Sequence, residues 1–214
     1  MGDRFLVARG RMIERIRNKG LAGETVLSAM SEIPRHLYVD QAFELKAYGE
    51  NALPIGWDQT LSHPEVVAYM SETLKISKGH RVLEVGTGSG YQAALLLRLG
   101  AKVWTLERIA GLHDSAVLHW EKDGIPSGIQ AKVGDGYEGW PQAAPFDRIL
   151  LTASPKNLPE TLLEQLSPSG ILLAPLGSEA GQKLVRFRRE GDRAYREELE
   201  DCSFVPMLAR TMKG

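Results

Sequence analysis

Apolar side chains recur at helical spacing among arginine and glutamate residues in the first part of the chain. This pattern predicts that residues 4–45 are mostly helical. Gly20 marks the expected end of a first helix, and a second is predicted over 24–31 because Pro34 disfavours its continuation. Residues 48–64 contain two glycines and two prolines, so we predict an irregular connector there. Helical spacing then returns over 65–74.

From His80 onward, short apolar runs alternate with helical patterns. Strands are predicted over 81–85, 102–107, 129–133, 146–151 and 171–175, helices over 91–99, 112–122 and 158–166, and a closing hairpin over 182–188 and 195–205. Repeated strand–helix units of this size predict an α/β fold. Its doubly wound, mostly parallel sheet would carry helices on both faces. We expect a helical segment, 1–79, packed on a core, 80–214, within one compact domain.

Composition narrows the class of protein. Hydrophobic residues make up 43% and charged residues 25%, a balance typical of globular proteins. The formal net charge of −1 offers no positive field for a nucleic-acid backbone, so no nucleic-acid partner is expected. One cysteine, Cys202, excludes a disulfide framework and a multi-cysteine metal site. Apolar runs are too short for a signal sequence or a membrane span, which predicts a cytoplasmic protein without a membrane partner.

A glycine-rich loop is the first candidate for chemistry. Gly86, Gly88 and Gly90 lie directly between a predicted strand and a predicted helix, where glycines allow a ligand to approach backbone N–H groups. The spacing differs from the dinucleotide fingerprint, whose third glycine comes three residues after the second. Glu107 follows Gly86 by 21 residues and ends the next strand, where a carboxylate can accept both hydroxyls of a ribose. The alternative is a tight turn with a solvated glutamate.

Asp135 is the second candidate. It lies between Gly134 and Gly136 after the third predicted strand of the core, and so at the carboxyl edge of the sheet where such folds bind ligands. Its carboxylate could accept a hydrogen bond from the exocyclic amine of an adenine. An ordinary Asp-Gly turn is the alternative. The segment 53–64 carries two hydroxyl side chains and one histidine, and by composition alone it reads as a connector.

Several motifs resemble those of the protein-L-isoaspartate O-methyltransferases, a family of class I methyltransferases that use S-adenosylmethionine (SAM). The resemblance extends over about residues 12–207, nearly the whole chain. The motifs that carry it are 82–92 (VLEVGTGSGYQ), 53–56 (LPIG), 59–62 (QTLS), 134–136 (GDG), 139–141 (GWP), 144–147 (APFD) and 204–206 (FVP). The glycine motif is general to SAM methyltransferases, whereas the two segments between 53 and 62 are much more specific. Asp58, Leu61 and His63 differ from the residues usual in the family.

The resemblance implies a Rossmann-like fold and a repair reaction. A methyl group would pass from SAM to the α-carboxylate of an L-isoaspartyl residue in a damaged protein or peptide, and the ester would then collapse to a succinimide. Ser62 would be the catalytic residue, with SAM as the cofactor, no metal and a monomeric enzyme. The implied cofactor-binding residues are Gln59, Thr60, Gly86, Thr87, Gly88, Ser89, Glu107, Arg108, Asp135 and Gly136. The implied substrate-binding residues are Pro54, Ile55, Gly56, Thr60 and His63.

Other functions remain open at the level of sequence. A methyltransferase of the same fold, dedicated to one aspartate of a peptide natural-product precursor, would retain nearly every motif. Base N-methylation usually uses a Pro-Pro-aromatic segment after the fourth strand of the core, where this chain has Thr152-Ala153-Ser154-Pro155. A non-catalytic SAM-binding module is a further alternative. Assay of an isoaspartyl peptide with labelled SAM separates these functions.

Overall fold

The N-terminal part of the chain is helical, as its apolar spacing predicts. The computed structural model describes residues 4–125, 127–178 and 181–212. Helix α1 spans Leu6–Asn18, α2 spans Glu24–Glu32 and α3 spans Pro64–Thr73, and two short 3-10 helices, Arg35–Tyr38 and Gln41–Lys46, lie between α2 and α3.

The connector predicted over 48–64 is only partly irregular. It contains a two-stranded antiparallel hairpin, β1 (Leu53–Gly56) and β2 (Gln59–Leu61). The prediction of an irregular segment is therefore wrong for these residues. Its prolines and glycines favour a loop. The two strands are only three or four residues long, which is too short for an apolar alternation to be recognised.

A seven-stranded sheet forms the core, in the order β5-β4-β3-β6-β7-β8-β9. Its strands are β3 (Arg81–Val85), β4 (Lys102–Glu107), β5 (Ile129–Val133), β6 (Phe146–Leu151), β7 (Leu166–Ser178), β8 (Gly181–Glu190) and β9 (Arg193–Cys202). Strands β3 to β7 pair in parallel, and β8 and β9 form the predicted antiparallel hairpin at one edge. The predicted α/β class with a mostly parallel sheet is confirmed.

Helices connect the parallel strands. Helix α4 (Tyr91–Arg98) joins β3 to β4, α5 (Ala110–Lys122) joins β4 to β5, and α6 (Glu160–Glu164) precedes β7. The helix predicted over 158–166 is too long, because the chain enters β7 at Leu166, which pairs with Phe146. A change of register between Phe146 and Arg148 accommodates the Pro-Ser-Gly sequence 168–170 inside β7.

The two faces of the sheet bury separate apolar clusters. Val82 and Leu150 belong to the cluster that also holds side chains of α1 to α5, whereas Leu83 and Leu151 belong to a cluster with α6. Successive residues of one strand point to opposite faces, so these strands are apolar on both sides. One cluster thus extends from the N-terminal helices into the sheet, which fixes the segment before residue 80 against the core.

Candidate active site

A cleft opens at the carboxyl ends of β3, β4 and β6, on both sides of the point where the strand order reverses. Open α/β sheets bind ligands at such a switch point. The cleft holds about 980 Å³, including the part open to solvent. Most of the site residues predicted from sequence line it: Ile55, Gln59, Thr60, Ser62, Gly86, Thr87, Gly88, Ser89, Glu107, Arg108 and Gly136.

The glycine-rich loop turns sharply between β3 and α4. Gly86 has a φ of +103°, and a Cβ built on it would lie 2.3 Å from Oγ1 of Thr152. That hydroxyl donates a hydrogen bond of 2.6 Å to the Gly86 carbonyl. Thr152 directly follows β6, so the end of this strand holds the loop in place. A side chain at position 86 would break this contact, and the sequence therefore needs glycine there.

Glu107 ends β4 directly beside this loop. Its Oε2 accepts a hydrogen bond of 2.9 Å from the Gly88 N–H, and its Oε1 accepts one of 2.9 Å from the Ile109 N–H. Burial raises the pKa of Glu107 above its ordinary value, although both N–H donors act in the opposite direction. Each oxygen keeps a further lone pair, so the carboxylate can still accept hydroxyl groups from a ligand in the cleft.

A buried polar chain lies behind the loop. The Thr87 and Thr105 hydroxyl oxygens are 2.7 Å apart, and Thr105 donates a hydrogen bond of 2.6 Å to Oε2 of Glu84. Burial raises the pKa of Glu84 to about 8. These contacts order the side of the loop that faces the protein, whereas its other side faces the cleft.

Asp135 lies at the edge of the site and does not line the cleft. Its Oδ1 accepts a hydrogen bond of 2.9 Å from the Tyr137 N–H, and its Oδ2 accepts one of 2.6 Å from the Arg210 N–H. The carboxylate thereby holds the C-terminal segment against the end of β5. A role for Asp135 toward an adenine stays a prediction.

The C-terminal segment 204–208 forms one wall of the cleft. The Ser154 N–H donates to the Val205 carbonyl at 2.8 Å, and the Met207 N–H donates to the Ser154 carbonyl at 2.8 Å. No site role was predicted for these residues or for Thr152, although 204–206 is one of the motifs that resemble the family. For Thr152 a signal existed, because it follows a parallel strand at the ligand-binding edge. The motif 204–206 does not indicate where the wall lies, since its position depends on long-range backbone pairing.

The hairpin β1–β2 brings part of the predicted acceptor segment to the cleft. Ile55 approaches the glycine-rich loop so closely that a Cβ built on Gly88 would lie 3.3 Å from its Cδ1. Ser62 follows β2 and lines the cleft, whereas Pro54 and Gly56 belong to β1 without lining it. The loop predicted to hold a cofactor and the segment predicted to hold an acceptor therefore meet in one cavity.

His63 points toward α3 and α1 rather than lining the cleft. Its Nδ1 lies 2.6 Å from Oε2 of Glu65, whose Oε1 accepts a hydrogen bond of 2.7 Å from Nε of Arg15. Burial acts to raise the pKa of Glu65, but the Arg15 hydrogen bond, a backbone hydrogen bond and nearby positive charge together outweigh burial, and the pKa lies below its ordinary value. A substrate contact for His63 stays a prediction.

Residues 4–125, 127–178 and 181–212 contain neither a candidate metal site nor a candidate membrane-spanning helix. No group of three or more His, Cys, Asp and Glu residues is arranged there to hold a metal ion. In the same ranges, no helix has both the length and the apolar character that a membrane span requires.

Two comparisons place the chain among known proteins. The family model described as Protein-L-isoaspartate(D-aspartate) O-methyltransferase matches residues 8–212. A protein-L-isoaspartate O-methyltransferase of Hahella chejuensis is 47% identical over 204 residues, which cover 95% of this chain and 96% of the relative. One of Chlorobaculum parvum is 45% identical over 210 residues, covering 97% and 94%.

Solved structures agree in fold. A structure named protein-L-isoaspartate O-methyltransferase superposes with a TM-score of 0.85 at 26% identity, covering 92% of this chain and 65% of that chain. A second, from Plasmodium falciparum, superposes with a TM-score of 0.82 at 22% identity, covering 92% and 97%. The match of the family model and the identity to full-length relatives confirm the resemblance carried by the motifs: the chain belongs to the protein-L-isoaspartate(D-aspartate) O-methyltransferase family.

Proposed function

We propose that this protein is a SAM-dependent carboxyl O-methyltransferase that methylates the α-carboxylate of L-isoaspartyl residues in damaged proteins and peptides. One observation supports this function beyond family membership. The glycine-rich loop with Glu107 and the segment that carries Ser62 line the same cleft. A methyl donor held by the first and a carboxylate held by the second would share one cavity.

The lining residues fit SAM. Glu107 is a buried acceptor at the end of β4, where a ribose diol would be bound, and Gly86, Thr87 and Gly88 leave room for the rest of the cofactor. Leu106 and Leu112 add apolar surface for an adenine ring. When bound, SAM supplies an electrophilic methyl group attached to a sulfonium.

The work of the protein residues is alignment and exclusion of water. An acceptor carboxylate is already ionised at neutral pH, so the reaction needs no strong general base. Ser62 would hydrogen-bond the acceptor carboxylate or orient the loop that presents it, and Ile55 would close the space between hairpin and loop. Holding nucleophile and methyl group in line lowers the barrier by removing their freedom of approach.

Substrate class and cellular context complete the proposal. Isoaspartyl-containing proteins and peptides would be the partners, bound mainly through backbone and carboxylate. We also propose a monomer that acts in the cytoplasm, without a nucleic-acid or membrane partner. The near-zero net charge supports the absence of a nucleic-acid partner.

Pairs of synthetic peptides test the function. Unrelated peptides that contain L-isoaspartate should all be methylated with labelled SAM, with values of kcat/KM within about two orders of magnitude of one another. Matched peptides with normal L-aspartate should be inert, because their carboxylate is displaced by one methylene and alignment is sensitive to about 1 Å. Activity confined to one peptide sequence, or equal methylation of the aspartyl peptides, would favour a dedicated peptide methyltransferase instead.

A further inference from the structure

A fully buried arginine lies beneath the acceptor segment. Arg35 begins the first 3-10 helix after α2, and its side chain is 0% exposed. Its Nε donates a hydrogen bond of 2.7 Å to the Ala47 carbonyl, and its Nη2 donates one of 2.6 Å to the Ser62 carbonyl. The guanidinium therefore fixes the backbone at Ser62, a residue that lines the cleft.

The same guanidinium contacts the cofactor side of the site. Its central carbon lies 4.7 Å from the centroid of the Tyr91 ring, in a cation–π arrangement. Tyr91 is the first residue of α4 and directly follows Gly90, the last glycine of the loop. Arg35 thus touches one residue beside the loop predicted to hold SAM and another in the segment predicted to hold the acceptor.

This arrangement is not the one that stability alone would favour. Within the described part of the chain, Nη1 of Arg35 and the hydroxyl of Tyr91 are both buried and form no hydrogen bond of good geometry, although the two side chains interact with each other electrostatically. Burying a cation with an unsatisfied donor costs free energy, and apolar side chains of similar volume often replace such groups without loss of stability. What an apolar replacement cannot reproduce is the pair of bonds to the Ala47 and Ser62 carbonyls, of which only the second reaches a residue that lines the cleft.

We propose that Arg35 is a positioning residue for methyl transfer: by holding the Ser62 carbonyl while resting on the Tyr91 ring, it sets the distance between the acceptor segment and the cofactor loop. This inference rests on the proposed function, which places the acceptor carboxylate beside Ser62 and SAM over the loop. A misplacement of about 1 Å between reacting groups costs roughly 100-fold in rate. The bond to Ser62 is therefore expected to act on turnover more than on SAM affinity.

Arg148 offers a matched control. Its Nε donates a hydrogen bond of 2.6 Å to the Leu74 carbonyl, so it also ties a guanidinium to a backbone carbonyl. It pairs with Val82 near the start of the parallel strands, at the edge of the sheet opposite to the cleft. Replacing Arg148 by methionine therefore removes a comparable bond without touching the site.

Steady-state kinetics on an isoaspartyl peptide and calorimetry with SAM test the inference on the full chain. For Arg35→Met we expect kcat to fall about 30- to 100-fold while the SAM Kd changes less than about 3-fold, and for Arg148→Met we expect kcat within about 3-fold of the parent. Arg35→Lys keeps the charge and one donor, so it should recover part of kcat. Equal kcat for Arg35→Met and Arg148→Met would overturn the inference.

Two further measurements keep the test decisive. If Arg35→Met does not fold, Arg35→Lys tests the inference instead. A lower kcat with parental SAM affinity supports the positioning role. A parental kcat, or a fall of kcat and SAM affinity in the same proportion, refutes that role. Amide NMR spectra without substrate should show Ser62 and Tyr91 shifted in Arg35→Lys, and unchanged signals there would also refute it. A parental protein that methylates no isoaspartyl peptide would refute the proposed function alone, because the NMR readout needs no substrate.

Discussion

Glu107 is held in place before any ligand is bound, because backbone N–H groups of Gly88 and Ile109 each donate to one of its oxygens. Glu107→Gln replaces one acceptor oxygen by an NH2 group that would face a backbone N–H. We expect SAM affinity to fall about 10- to 150-fold, which corresponds to the roughly 1.5–3 kcal/mol typical of a lost hydrogen bond to a charged group. Calorimetry measures this, with the exposed Glu121→Gln on α5 as control. Equal SAM affinity in both variants would remove Glu107 from the cofactor site.

Ser62 belongs to the acceptor side, so its loss should affect turnover rather than cofactor binding. Ser62→Ala removes the hydroxyl but leaves the carbonyl that Arg35 binds. We expect kcat on an isoaspartyl peptide to fall about 10- to 100-fold, the range for loss of a positioned donor, with the SAM Kd unchanged. Ser31→Ala on α2 is the control. A Ser62→Ala enzyme with parental kcat would make Ser62 a loop residue only.

Glu84 should make stability depend on pH. Burial raises its pKa from 4.5 to about 8 in the folded protein, so folding favours its protonated form. Its contribution to stability is fully present below pH 4.5 and is lost as pH rises toward pH 8. In urea denaturation, the parent should lose about 3 kcal/mol more between pH 5 and pH 8 than Glu84→Gln does. The same pH dependence in both proteins would show that Glu84 is not its source.

Among the elements, the hairpin β1–β2 was the one that the sequence concealed. Its turn residues, Trp57 and Asp58, have φ values of +50° and +56°, although positive φ at both central positions favours Asn-Gly or Asp-Gly. The Trp57 ring packs against α5: a Cβ built on Gly111 would lie 2.3 Å from its Cζ2. A long-range packing contact therefore accompanies a turn that local preference alone does not indicate.

Two helical glycines test this packing. Gly111→Ala should push the Trp57 ring away from α5 and destabilise the hairpin, whereas a Cβ on Gly10 in α1 would meet nothing within 4 Å. Gly10→Ala should therefore stabilise the protein by up to about 1 kcal/mol through helix propensity, which is roughly 2–4 °C in Tm. We expect Gly111→Ala to lower Tm instead, measured by calorimetry. A Tm increase in both variants would show that the Trp57 contact contributes nothing.

The elements that the sequence does predict are those with a strong local pattern. Strands β3, β4 and β6 are apolar on both faces and match their predicted bounds, and α4 and α5 follow them within two residues. The start of β7 was missed because its pairing across the register change, Leu166 with Phe146, depends on a distant strand. The glycine-rich loop and Glu107 were predictable for the same reason as β3 and β4. The buried Arg35 was not, since a charged residue gives no local signal of burial.

On the scale of the whole molecule, the cleft is assembled from segments far apart in sequence. The hairpin, the glycine-rich loop, the end of β4 and the C-terminal segment each supply one wall. The Asp135 carboxylate, which follows β5, holds the chain just beyond 204–208 by accepting from the Arg210 N–H at 2.6 Å. The motifs predicted which segments contribute to the candidate site, but the closure of the cleft by 204–208 follows only from tertiary pairing.

The N-terminal helices and the sheet share one apolar cluster, so they are expected to unfold together. Met12 of α1 and Leu27 of α2 pack in the same cluster as Val82 and Leu150, and the Tyr38 hydroxyl donates a hydrogen bond of 2.5 Å to Asp123 after α5. Calorimetry should therefore give one transition whose calorimetric and van't Hoff enthalpies agree. Two resolved transitions would contradict the prediction that residues before and after 80 form one domain.

Binding of SAM should raise the Tm of that single unfolding transition. A ligand at 100 times its Kd stabilises the folded state by about 2.7 kcal/mol, which corresponds to roughly 5–10 °C in Tm for a chain of this size. The hairpin before residue 80 and the core after it both line the cleft. Binding of SAM should therefore raise the unfolding temperature of both parts together. Glu107→Gln at the same SAM concentration should show a smaller shift. An unchanged parental Tm, or one that rises equally in both proteins, would contradict a SAM site closed by these walls and anchored by Glu107.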